Sequence, residues 1–166
     1  MSLTGKPSLT SASAFVNDGF WPDLSVATLM DKYRIPPEYA DETIKWGLTL
    51  AMVNVNLDLE PVKAAIVALG YASLTAYNTV NSQQLNSEQV TVIHYQHAVY
   101  AYAKAFLLQQ FNSLNRKPNS ESAAKEAPET EQYWMDQSAS AVQKLFAKFL
   151  PLETKTATAG AHVALL

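Results

Sequence analysis

Apolar positions recur along this chain at steps of three and four, the period of helices packed on one side. The longest such run extends from Asn86 to Leu114, and no Pro or Gly interrupts the 28 residues after Asn86. It predicts one long central helix, roughly 42 Å in length at ~1.5 Å per residue. Asn86 is placed to cap the first turn, with Gln89 three residues on as in a capping box. Leu85 and Val90 have the spacing of a hydrophobic staple. Two stripes run along the helix: Val92, Tyr95, Val99, Tyr102 and Phe106 on one face, and Val90, Ile93, His97, Ala101, Leu108 and Phe111 on another. A helix apolar on two sides is sandwiched, and Ala98, Ala101, Ala103 and Ala105 let its neighbours approach closely.

Shorter periodic segments surround it. Phe20-Trp21-Pro22-Asp23 reads as an aromatic anchor, followed by a helix capped by Asp23 or Ser25 and running to about Tyr33, before Pro36-Pro37. The next helix carries Glu38, Asp41 and Glu42 at its start, where the helix dipole favours acids. It buries Ala40, Ile44, Gly47, Leu48, Ala51, Met52, Val55 and Leu59 on one stripe. Gly47 costs about 1 kcal/mol relative to Ala in a helix interior, and close contact with another helix is what would offset it. Glu60-Pro61 kinks that helix or starts another, from Val62 to Leu69, ending at Gly70. Residues 71–85 read as a loop over Leu74 and Tyr77, and 115–128 as an exposed loop. The last helix runs from Glu129 to Phe149, burying Trp134, Ser138, Ala141, Val142, Leu145 and Phe149 until Pro151 stops it.

The fold expected is therefore all-α: a helical bundle around one long central helix, with extended N- and C-terminal arms. Its divisions are an N-terminal arm over residues 1–19, a bundle domain over 20–150 and a tail over 151–166. The arm is rich in Ser, Thr and Ala, too poor in apolar residues to order alone. It is either a free terminus or a segment that orders against a neighbouring subunit.

At 166 residues one core is the default. Charged residues make up only 16 % and the net charge is −3, which gives no general attraction to a phosphate backbone. With no cysteine, disulfides, thiolate metal sites and Cys nucleophiles are excluded. No secretory signal is expected in the first 15 residues, which hold one Lys and no apolar run of seven. No stretch of 18 apolar residues exists to span a bilayer, so a soluble protein is expected.

Candidate chemistry is sparse. His94 and His97 are three apart, but no HExxH pattern accompanies them and Glu88 alone is placed as a same-face carboxylate, so they read as packed or surface histidines. Asp41 with Glu42, and Asp58 with Glu60, lack the spacing of a catalytic pair. There is no phosphate loop and no nucleophile elbow. No catalytic residue, metal ligand or cofactor site is assigned, and no enzyme is required. The tyrosines at Tyr71, Tyr77, Tyr95, Tyr100, Tyr102 and Tyr133 are numerous, and they serve either core packing or subunit contact. The candidate interface residues are Leu3, Phe15, Val16, Tyr100, Val163, Leu165 and Leu166.

The run Tyr95-x-x-Ala98-Val99-x-Ala101-x-Ala103-x-Ala105-x-Leu107 resembles the central helix of the GPL family, head completion proteins of temperate contractile-tailed bacteriophages. Phe20-Trp21-Pro22-Asp23-Leu24, Ile44-Lys45-Trp46-Gly47, Ala68-Leu69-Gly70-Tyr71-Ala72-Ser73-Leu74 and Trp134 follow the same order, over residues 20 to about 145. The resemblance implies a structural protein of the virion neck, made in the bacterial cytoplasm. It would assemble as a ring homo-oligomer on the portal protein after DNA packaging, close the filled head and prepare it for tail attachment. Partners would be the portal, further copies of itself and a downstream neck or tail-completion protein. Packaged DNA would only pass through the ring, and no membrane is involved. The alternatives are a DNA-binding packaging subunit of small-terminase type and a helical metal or small-molecule enzyme.

Overall fold

The computed structural model describes residues 14–36, 39–81, 83–114 and 130–150. They form α1 (Val26–Lys32), α2 (Asp41–Asp58), α3 (Glu60–Ala68), α4 (Leu74–Val80), α5 (Val90–Leu114) and α6 (Glu131–Phe149), plus one hairpin of β1 (Gln84–Leu85) and β2 (Glu88–Gln89). The all-α bundle around a central helix is what the chain builds. α5 lies against α2 and α6, and residues 98–101 and 103–105 are buried on every side. Small side chains make this possible. Ser138 of α6 donates a hydrogen bond from Oγ to the Ala98 carbonyl at 2.8 Å, and Gly47 of α2 sits where a Cβ would lie 3.0 Å from Phe106 Cδ1. The α2 stripe of Ile44, Gly47, Leu48, Ala51, Met52, Val55 and Leu59 is buried as its spacing requires, while Ala40 is the exposed N-cap.

The start of the central helix differs from expectation. Asn86 does not cap it; Asn86 and Ser87 both take positive φ, 50° and 64°, as the central residues of a two-residue hairpin turn. Leu85 pairs with Glu88 and Gln84 with Gln89. Two left-handed residues between antiparallel strands give a type I′ turn, whose twist matches that of the strands, and Asn tolerates that conformation. The helix begins only at Val90, whose N–H bonds to the Gln83 carbonyl at 2.9 Å. A second difference lies just before. Residues 74–80 are a helix, not a loop, capped by the Ser73 hydroxyl on the Ala76 N–H. Leu74 is fully buried there and Tyr77 half-buried.

Other ends follow the sequence. Ser25 rather than Asp23 caps α1, accepting the Thr28 N–H at 3.2 Å. Glu60-Pro61 starts α3, with Pro in its first turn where the missing N–H costs nothing. α3 ends with Gly70 at φ 90°, its N–H bonded to Val67 O and that of Tyr71 to Ile66 O, the Schellman arrangement that suits a glycine. Thr130 caps α6 on the Tyr133 N–H.

Residues 14–19, placed in the arm by composition, are fastened to the bundle. Phe15 and Leu24 exchange backbone hydrogen bonds of 2.7 and 3.0 Å, and Asp18 Oδ1 accepts the N–H groups of Phe20 and Trp21. Residues 1–13, 115–129 and 151–166, and with them most of both expected arms, lie outside the described residues.

Candidate functional site

The most elaborate polar arrangement joins three separate segments. Asn17 Nδ2 donates to the Tyr95 hydroxyl at 2.6 Å, that hydroxyl donates to Asn56 Oδ1 at 2.7 Å, and Asn56 Nδ2 returns a bond to Asn17 Oδ1 at 3.0 Å. The circuit is closed, so each bond polarises the next. Trp21 stacks on the Tyr95 ring at 4.8 Å and 2°. Burial pushes the Tyr95 hydroxyl far above the usual phenol range, so it stays protonated and donates. Beside it, Lys63 bonds to Asp18 Oδ2 at 2.9 Å. Burial would raise the Asp18 carboxyl, but the bonds from Lys63 and the Trp21 and Phe20 amides outweigh it and hold the pKa below the ordinary value. These groups satisfy one another and tie the N-terminal segment to α2, α3 and α5, which is a structural role.

A second polar cluster lies where α1, α5 and α6 meet. The Lys104 ammonium is buried, donates to the Tyr33 carbonyl at 2.8 Å and lies 5.6 Å from the Trp134 ring centre. A cation there meets the negative end of α1 and an aromatic face. His97 Nδ1 is 2.8 Å from the Tyr33 hydroxyl. Burial first, then the charge of Lys144, holds His97 below its ordinary value against a hydrogen bond with the Gln137 side chain that favours the charged ring. Burial does the same to His94, helped by Lys144, His97 and Lys148. Both histidines are half-buried packing residues, and among the described residues no three His, Cys, Asp or Glu side chains are grouped to hold a metal.

The candidate interface residues fare unevenly. Leu3, Val163, Leu165 and Leu166 lie outside the described residues. Phe15 is half-buried against the core, and Val16 is 75 % exposed. Tyr100 is a correction: it is 2 % exposed, and its hydroxyl accepts the Ser25 N–H at 2.9 Å. Its ring is spent inside the subunit, since α5 is covered all round where Tyr100 sits.

Unassigned apolar surface is found elsewhere. On α2, Trp46, Leu50, Val53 and Leu57 follow steps of four, three and four on the side opposite Ile44, Leu48, Ala51 and Val55. Trp46, Val53 and Leu57 are each more than half exposed. Val67 and Leu69 at the end of α3, Val80 at the end of α4 and Leu85 in the hairpin are also more than half exposed. No charged residue lies between Lys45 and Asp58, or between Lys63 and Glu88. The α2 stripe is thus apolar from Trp46 to Leu57, as interface centres are, whereas Lys63 lies one turn before Val67 and Glu88 is the strand partner of Leu85. The signal was present in the sequence as a second period on α2 and as two uncharged runs.

The family profile described as phage head completion protein (GPL) matches residues 15–149. The chain is similar to the probable head completion/stabilization protein of Haemophilus phage HP1, with 33 % identity over 103 residues, 62 % of this chain and 67 % of that one. It is also similar to the head completion/stabilization protein of Escherichia phage P2, with 22 % identity over 121 residues, 72 % of this chain and 70 % of that one. No solved structure matches.

Proposed function

The chain belongs to the phage head completion protein (GPL) family, and on that premise we propose that it assembles as a ring on the portal vertex of the DNA-filled head, closing the capsid and preparing it for the tail. Its role is structural. The observation that carries this reading is the exposed apolar stripe of α2, Trp46, Val53 and Leu57, on the side away from the core. Surface of that kind marks protein contact.

A DNA-binding packaging subunit would need a basic face. Among the described residues, Lys45 is paired with Asp41 and Glu42, Lys63 with Asp18 and Lys104 is buried, and the exposed cations are divided between the end of α1, Lys32 and Arg34, and α6, Lys144 and Lys148. No observation favours an enzyme, and no helix among the described residues is long and apolar enough to cross a membrane.

The test uses DNA-filled heads made without this protein. Added purified protein is expected to bind the portal vertex as a ring visible by electron microscopy, to stop loss of DNA, and to restore tail joining. Heads that retain DNA and join tails equally well without it would overturn the proposal.

A further inference from the structure

We propose that residues 9–13, which precede the described residues, seat in the groove between α1 and α5 of their own copy. The groove consists of two adjoining hollows of about 370 and 170 Å³, both lined by Thr28, Lys32, Glu88, Gln96 and Tyr100. One opens beside Ala14, Asp23 and Ser25, and the other ends at Tyr33, Ile93 and His97. The contact lies within one subunit and is independent of the ring reading.

Three observations name the occupant. The first is direction. Phe15 and Leu24 exchange both backbone hydrogen bonds, at 2.7 and 3.0 Å, as an antiparallel pair. In such a pair the residues before one partner run alongside those after the other, and α1 begins two residues after Leu24. Ala14 already lines the mouth of the groove, so the chain that leads to it comes along α1.

The second is length. From Ser25 to Tyr33 the α1 side of the groove measures roughly 12 Å at ~1.5 Å per residue. An extended chain rises ~3.3 Å per residue, so about four residues cover that distance. They are Thr10 to Ser13, and Leu9 falls at the far end.

The third is chemistry. Lys32 and Glu88 line the same hollows, yet among the described residues neither forms an ion pair, and the Gln96 side-chain amide makes no hydrogen bond. A ligand with a single charge would meet its like in one of those two groups. An uncharged chain with hydroxyls and backbone groups can serve both. Leu9-Thr10-Ser11-Ala12-Ser13 has that composition: three hydroxyls, small side chains and no charge. Leu9 then meets Ile93 and Tyr33, where the groove turns apolar. The gain from such a short polar contact roughly offsets the cost of ordering five residues. The seated segment therefore adds little to the melting midpoint and is read at the groove itself.

The chain has no cysteine, so a pair of introduced thiols reports the contact. The full-length double variant Ser11→Cys, Gln96→Cys is treated with a short bis-maleimide at low concentration. It is expected to bridge within the monomer, read by intact mass, about ten-fold faster than a Ser11→Cys, Ser140→Cys control, whose second thiol lies on the exposed face of α6. Adding Leu9→Asp to the first pair is expected to slow bridging several-fold. Deleting residues 1–13 is expected to shift the NMR signals of Thr28 and of the Gln96 side-chain amide while leaving that of Ser140 in place.

Equal rates for the two pairs, or an unchanged rate with Leu9→Asp, would overturn the proposal. The deletion alters no groove residue, so it decides even where Gln96→Cys does not fold; groove signals unmoved by it would sink the idea. A mixture of the two single variants that forms covalent dimer as readily as the double variant bridges itself would also overturn it, because the occupant would then be the segment of another copy.

Discussion

At the scale of single residues, stability is concentrated where side chains complete one another's hydrogen bonds. Tyr95→Phe keeps the stacked ring but removes the hydroxyl that links Asn17 to Asn56. It takes the donor from the half-buried Asn56 Oδ1 and one of two acceptors from Asn17 Nδ2, which keeps its bond to the Pro22 carbonyl, so it is expected to destabilise by about 0.5–1.5 kcal/mol. Denaturant unfolding measures this, and an unchanged midpoint would mean that the circuit contributes nothing. The histidines give a pH dependence with a definite sign. His94 and His97 titrate below their ordinary value of 6.5 in the folded chain, so the unfolded chain binds more protons in that range. Their contribution is fully present above about pH 6.5 and is lost as pH falls through the lowered folded values. The melting midpoint should therefore drop between pH 7.5 and pH 5, and His97→Gln should show a shallower drop. Equal slopes for parent and variant would remove His97 from the account. The residues that matter here were only half legible: three segments far apart in sequence meet at Tyr95, and nothing in the pattern of Asn17 or Asn56 distinguishes them from surface asparagines.

At the scale of elements, the stripes fixed which helix faces turn inward, and Gly47 shows how closely. Replacing it with Leu forces a side chain into space held by Phe106 and Leu107. Overpacking of this kind costs about 1–3 kcal/mol or more. Gly47→Ala should be far milder, because the helix gains about 1 kcal/mol of propensity and the ring of Phe106, only partly buried, can yield. Thermal melts of the two variants separate the readings; if both melt like the parent, α2 and α5 do not touch at that point. The elements that the sequence misassigned share a cause. Asn86 satisfies both a cap and a left-handed turn, and the residues before it decide which. β1 supplies a partner strand for β2, so the hairpin forms. α4 is seven residues long, too short to be stable alone. It exists because Leu74 is buried and Asn78 bonds the Thr91 hydroxyl at 2.8 Å.

At the scale of the molecule, the bundle includes residues N-terminal to Phe20, since Phe15 is bonded to Leu24 and Asn17 to Tyr95. Deleting residues 1–13 is expected to leave helix content and melting midpoint unchanged. Deleting 1–19 removes Phe15, Asn17 and Asp18 with their bonds to Leu24, Tyr95 and Lys63, and should cost about 3 kcal/mol or more. Circular dichroism and melting of the two truncations decide between these boundaries; equal stability would restore the longer arm.

The sequence by itself determined the helical class, the central position of residues 90–114, the inward stripe of α2, the glycine end of α3 and the absence of thiol chemistry. Each follows from local period, local caps or composition, which the chain carries whatever its neighbours do. Only the tertiary structure decided that Asn86 turns a hairpin, that Tyr100 faces inward, that Asn17, Asn56 and Tyr95 close a circuit, and that Trp46, Val53 and Leu57 of α2 are exposed. Those outcomes depend on which segments meet in space. An apolar side chain or an amide in a sequence does not say whether its partner lies in the same molecule or in the next.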